Sequence, residues 1–164
     1  MARRQFRGND YSENGWPYVD QGSCTWIVVP GTSPPVHLQI QNGPPVVIMG
    51  AFAADYNAYV EHLRDGDSAC WTPDNKVDTS NHPGGTAMDL DWNGPDGHTF
   101  RFGIPESVAY PGDEARNVRE LIDYYEDLIF CGGNWDILDW MHFQMGGGTY
   151  DRANDRPSPR GARR

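Results

Sequence analysis

Ser80-Asn81-His82-Pro83-Gly84-Gly85-Thr86-Ala87-Met88-Asp89 sets an imidazole and a carboxylate seven positions apart, with two glycines between them. Read as a strand from Ala87 to Trp92, Ala87, Asp89 and Asp91 point one way and Met88, Leu90 and Trp92 the other. Met88, Leu90 and Trp92 then bury in a core while Asp89 faces a cleft, where the small Ala87 leaves room. Gly84 and Gly85 let the loop bend so that His82 turns back toward Asp89. Pro83 biases His82 toward an extended backbone.

A second segment, Asp139-Trp140-Met141-His142-Phe143, supplies another imidazole with a carboxylate three positions before it. Strand alternation puts Trp140, His142 and Gln144 on one face and Met141 and Phe143 on the other, with Asp139 at the strand entrance. Two His and one Asp with a spare acid beside them point to a zinc hydrolase. A catalytic zinc takes three protein ligands and keeps a fourth position for water, and a neighbouring acid can accept that water's proton.

Working outward, Thr25-Trp26-Ile27-Val28-Val29 reads as a buried strand. Val36, Leu38 and Ile40 alternate with His37, Gln39 and Gln41, the period of a half-exposed strand. Asn42-Gly43-Pro44-Pro45 is expected to turn the chain into a strand over 46–49, forming a hairpin. Helices are expected over 51–63 and 113–130. The second carries Val118, Leu121, Ile122, Tyr125, Leu128 and Ile129 as its apolar stripe, with Gly132-Gly133 as its stop. A polar loop fills 64–81. Helices mixed with hairpin-type strands predict an α+β domain with a central, mostly antiparallel sheet flanked by helices.

The chain has 164 residues, room for one domain with a real core. It divides into an N-terminal arm at 1–16, the main domain at 17–150 and a basic tail or linker at 151–164. The formal charge of −10 is uneven, because eight of the 13 basic residues lie within 1–10 and 151–164. The acidic body should repel a nucleic-acid backbone, and the basic ends read as solvated. No apolar run approaches the ~20 residues of a membrane span, so no membrane insertion is expected. The first residues lack the apolar segment of a signal peptide. Cys24, Cys70 and Cys131 form no C-x-x-C motif and read as reduced thiols, with one disulfide as the alternative. His37, His62 and His98 read as surface imidazoles, and Asp91 and Asp136 as solvated or capping acids.

Ser80 to Asp89 fits S-x-H-x-x-G-x-A-x-D at every fixed position, and Asp139-Trp140-Met141-His142 fits (D/E)-x-x-H. Together they resemble the M15 peptidases, the zinc D-Ala-D-Ala carboxypeptidases and L-alanyl-D-glutamate endopeptidases, whose fold the Hedgehog signalling domains share. Ser-Asn-His, Gly85-Thr86-Ala87, Gly132-Gly133 and Asp139 to Phe143 look most like the peptidase domains of actinobacterial phage endolysins. The resemblance covers roughly 16–145.

It implies one zinc ion held by His82, Asp89 and His142, with Asp139 as general base and Ser80, Lys76 and Trp140 as substrate contacts. It implies hydrolysis of a stem-peptide bond of bacterial peptidoglycan, L-Ala-D-Glu first. The alternatives are a D,D-carboxypeptidase and a non-catalytic, zinc-bound wall-binding module. A monomer is expected, or one domain of a larger lysin. It would be made in the host cytoplasm and reach the cell wall through holin-type release. The family usually carries an Arg upstream of Ser-x-His. Cys70 to Asn75 has none, and Lys76 and Arg64 are the nearest cations in sequence.

Overall fold

The computed structural model describes residues 2–154. Two antiparallel sheets and four helices make up the fold: β1 (Cys24–Val28), β2 (His37–Gln41), α1 (Pro44–Tyr59), β3 (Ala87–Asp89), α2 (Glu106–Ala109), α3 (Glu114–Tyr125), β4 (Ile129–Cys131), β5 (His142–Met145) and α4 (Thr149–Ala153). This is the α+β class with antiparallel strands that the sequence predicts. β1 pairs with β2, and the second sheet runs β3-β5-β4.

The stretch 69–71 links the two sheets. Ala69 exchanges both backbone hydrogen bonds with Asp89, and the Trp71 N–H donates to the Gln39 carbonyl at 3.0 Å. Beneath lies one core. Phe143 of β5 packs on Phe52 and Tyr56 of α1, with ring centroids 4.9 and 5.5 Å apart. Leu38, Ile40, Met49, Met88 and Leu90 are fully buried around them.

Three local expectations give way to tertiary context. The run Val46-Val47-Ile48-Met49 is helical, not a hairpin strand: Pro44 and Pro45 occupy the first turn of α1, where a missing N–H costs nothing. The hairpin lies one connection earlier, between β1 and β2, with Trp26 opposite Gln39. The helix over 113–130 stops at Tyr125, because Glu126 adopts a left-handed φ of 49°. Ile129 and Phe130 then pair as β4 with Met145 and Gln144. Only Val118, Leu121 and Tyr125 of the predicted stripe are buried helical residues. Nor is β1 a buried strand, since Trp26 and Val28 are 60% and 54% exposed. On β2 the alternation holds for Val36, Leu38 and Ile40, but Gln39 and Gln41 are buried too.

The N-terminal arm is only partly solvated: Arg3, Gln5 and Arg7 are exposed, but aromatic residues anchor the arm to the body. Phe6 and Trp16 are buried, and Trp16 donates its indole N–H to Thr149 Oγ1 at 2.8 Å. Arg3 donates to the Tyr150 hydroxyl, and Arg7 pairs with Asp78 and Asp74. Of the basic tail, residues 151–153 close α4, and 155–164 lie outside the described residues. The three cysteines are free, with Cys70 and Cys131 buried. Among the described residues no helix is long and apolar enough to cross a membrane.

One core feature left no trace in the sequence pattern. Arg101 is fully buried, ion-paired with Glu61, donating to the Tyr56 hydroxyl at 2.9 Å and lying 4.4 Å from the Tyr110 ring centre. A buried cation persists only when paired and hydrogen-bonded in this way.

Candidate metal centre

β3 and β5 bring two of the three candidate ligands together by register. Asp89 is directly opposite His142, while their neighbours Met88 and Phe143 face the core. The third ligand, His82, opens a short 3-10 turn, His82–Gly84, rather than extended chain. Gly85 closes that turn at φ 67°, returning its N–H to the His82 carbonyl at 2.8 Å. A Cβ on Gly85 would lie 2.9 Å from the Gln41 backbone nitrogen, so both the conformation and the space call for glycine.

The donor atoms form a nearly equilateral triangle. His82 Nε2 lies 3.2 Å from His142 Nδ1 and 3.3 Å from Asp89 Oδ1, and the last two are 3.1 Å apart. Among the described residues these three make up the group of His, Cys, Asp and Glu that could hold a metal ion.

Each imidazole is oriented through its outer nitrogen. His82 Nδ1 donates to the Cys70 carbonyl at 2.9 Å, leaving Nε2 as the free lone pair. His142 Nε2 donates to Gln144 Oε1 at 2.9 Å, leaving Nδ1 free. Gln144 Oε1 also accepts from Asn81 Nδ2 at 2.6 Å, and Asn81 Oδ1 accepts the Asn14 N–H at 3.0 Å. Such outer partners fix the tautomer and aim of a ligating imidazole. Sequence reading placed Gln144 on the ligand face but gave neither it nor Asn81 a role; an amide two residues from a ligand His on the same strand face is the signal that was there.

Electrostatics follow from burial and crowding. Burial pushes the Asp89 carboxyl up, yet the charges and hydrogen bonds of His82 and His142 outweigh it and hold it well below the ordinary carboxylate range. His82 is raised, because Asp89 more than offsets its desolvation. Asp139 is pushed up to about 6 by burial and by the Asp89 charge, against the pull of the two imidazoles. Its Oδ1 is buried with no hydrogen-bond partner.

The remaining candidates fall in several places. The Ser80 hydroxyl is buried and accepts the His82 N–H at 3.3 Å. Lys76 is exposed on the 72–80 loop. Trp140 does not share the cleft face with His142: β5 begins only at His142, and the turn before it sends the Trp140 ring into the core, its indole N–H donating to the Ile104 carbonyl at 3.1 Å. The aromatic ring that flanks His142 is Trp135, with centroids 4.9 Å apart. Gly133 makes room for Trp140, since a Cβ there would sit 2.2 Å from that ring.

Arg64 is committed to the fold. It chelates Asp67 at 2.9–3.2 Å, donates to the Gly94 carbonyl at 2.6 Å and lies 3.7 Å from Asp91. Asp91 itself is fully buried, not solvated, and accepts from the Arg64 N–H and the Ser68 hydroxyl. The cation that does reach the His82 turn comes from the arm: Arg4 donates to the Pro73 and Pro83 carbonyls at 3.1 and 3.2 Å and lies over the Trp71 ring. Sequence distance hid it. His62, His98 and Asp136 are exposed, and His37 is exposed beside Asp65.

No family model, curated protein or solved structure matches the chain.

Proposed function

We propose that the chain is a zinc-dependent peptidoglycan peptidase of the Hedgehog/D-Ala-D-Ala peptidase-like fold, cutting a stem-peptide bond as a phage endolysin does. The observation that carries this is the donor triangle. A tetrahedral zinc bonded at about 2.0–2.1 Å spaces its ligand atoms roughly 3.3–3.4 Å apart, and the three edges here measure 3.1, 3.2 and 3.3 Å. Two neutral nitrogens and one carboxylate oxygen, each imidazole already aimed by an outer hydrogen bond, match the chemistry of that ion.

Zinc held by His82, Asp89 and His142 would supply Lewis acidity toward water and a substrate carbonyl. Asp139 supplies the proton transfer. Its carboxyl, pushed up to about 6 and with Oδ1 unpartnered, accepts a proton from the attacking water and returns it to the leaving amine. Arg64 is engaged elsewhere, so of the two cations nearest the motif in sequence it is Lys76, exposed on the 72–80 loop, that stays available to meet a substrate carboxylate. L-Ala-D-Glu is the first candidate bond, and removal of terminal D-Ala the alternative within the class. The enzyme would act on the wall after release from the host cytoplasm.

The test is digestion of purified peptidoglycan by the zinc-loaded chain, with products identified by mass spectrometry. A new D-Glu or D-isoGln N-terminus marks an endopeptidase, and free D-Ala a carboxypeptidase. Asp139→Asn should still bind zinc and lose about 10²–10⁴-fold in rate. Wild-type cleavage by that variant, or by the chelated protein, would overturn the mechanism. Retention on cell walls with no product released would indicate a binding module instead.

A further inference from the structure

The face of the sheet that carries His142 and Asp89 continues well past β3. Ala69 and Asp89 exchange both backbone hydrogen bonds, at 2.9 and 2.8 Å, so their side chains lie on one face. Trp71, two residues on, shares that face. Its N–H reaches Gln39 of β2, and Gln39 stands opposite Trp26 of β1. From His142 to Trp26 is four strand spacings, roughly 19 Å at about 4.8 Å each.

The far half of this surface is a groove of about 390 Å³, whose lining includes Trp26, His37, Gln39, Asp65, Ala69 and Trp71. That is within the range of small-ligand sites, roughly 300–1,000 Å³. Trp26 is 60% exposed although it sits mid-strand. Trp71 is held in place, its indole N–H donated to the Val19 carbonyl at 3.2 Å and Arg4 over its ring.

We propose that this groove is a saccharide subsite, taking an N-acetylated amino sugar of the glycan strand to which the cleaved peptide is attached; the choice of substrate rests on the peptidase reading above. Two indoles offer flat apolar surfaces for the C–H face of a pyranose, and the exposed His37 and Asp65 offer hydrogen-bonding groups for its hydroxyl and acetamido substituents, while the Gln39 amide is held by Gln21. Among the described residues lining the groove there is no Lys or Arg, while Asp65 is acidic; the nearby Arg4, over the Trp71 ring, is bonded to the Pro73 and Pro83 carbonyls. A neutral sugar suits that charge better than the carboxylate-bearing stem peptide. The groove's continuity with the metal face lets one substrate place its peptide at His142 and its sugar at Trp26.

The test is a titration of the zinc-loaded full chain, followed through its indole N–H resonances by NMR. The probes are the trisaccharide of N-acetylglucosamine and, separately, a free L-Ala-D-Glu peptide. The trisaccharide should shift the Trp26 resonance, and the remaining spectral changes should be lost in Trp26→Ala and kept in Trp26→Phe. No shift with the trisaccharide, or binding that survives Trp26→Ala unchanged, overturns the proposal. A Trp26 shift produced by the peptide and not by the sugar overturns it in favour of a peptide subsite. Because this readout needs no turnover, a chain that binds the sugar but leaves peptidoglycan intact removes the peptidase reading and keeps the groove.

Discussion

Asp89 and His142 face each other across the β3–β5 ladder, Oδ1 to Nδ1 at 3.1 Å, and their spacing is set by strand register alone. Side chains alternate with a period of two, so a slip of one residue would put Phe143 in the cleft and His142 in the core. The buried pair Met88 and Phe143, next in the ladder, prevents that slip. The candidate metal site therefore depends on core packing one residue away.

Gln144 is expected to matter for metal affinity without touching the ion. Its Oε1 accepts the outer N–H of His142 and is itself held by Asn81. Gln144→Ala should weaken zinc binding about 10–100-fold, read by competition with a chromogenic chelator. Gln144→Glu keeps an acceptor and should lose far less. Equal affinity in Gln144→Ala and wild type would show that the imidazole needs no such support.

Arg4 ties the arm to the turn that presents His82, through the Pro73 and Pro83 carbonyls. Arg4→Ala should lower zinc affinity several-fold and also lower the unfolding temperature. Arg7, with its pairs to Asp74 and Asp78 more than a third exposed, is the contrast. Arg7→Ala should change stability by about 1 kcal/mol or less and leave metal affinity alone. Isothermal titration of both variants separates them, and identical losses would argue against a role specific to Arg4.

The candidate site and the arm that braces it differ in how legible they were in the sequence. The His82, Asp89 and His142 cluster was readable because its members lie in two short segments, where a glycine-permitted turn and strand alternation decide direction locally. The α+β class followed from apolar periodicity in the same way. Arg4, Asn14 and Arg101 were not readable, since each finds its partner 40 or more residues away. Trp140 misled because alternation was extended across a turn that breaks it before His142. The 46–49 run misled because β-branched residues favour strands only weakly, and burial of Met49 and Phe52 under the sheet outweighs that preference.

Gly133 is predicted to tolerate no side chain. The Trp140 ring lies 2.2 Å from where its Cβ would stand, and that ring is pinned by its bond to Ile104. Gly133→Ala should cost about 1–3 kcal/mol through overpacking, or roughly 2–4 °C in unfolding temperature per kcal/mol for a chain of this size. An unchanged melting curve would mean that Trp140 relaxes freely.

Asp91 should make the metal-free protein less stable as pH rises through the weakly acidic range. Burial, the largest influence, pushes its carboxyl up to about 7, and only part of this is offset by Arg64. Unfolded, the group titrates near 3.9. Between about pH 4 and 7 the folded chain thus binds the extra proton, and the slope of unfolding free energy against pH is negative. Its contribution is intact below pH 4 and is lost by about pH 7. Asp91→Asn keeps an oxygen to accept from the Arg64 N–H and the Ser68 hydroxyl, while removing the titrating group. Urea midpoints of the metal-free proteins, measured from pH 4.5 to 8, should therefore fall more steeply for wild type than for Asp91→Asn, the two curves separating as pH rises. Asp139, also pushed up, is present in both and cancels in the difference. Parallel curves would mean that Arg64 fully offsets the effect of burial on the Asp91 carboxyl.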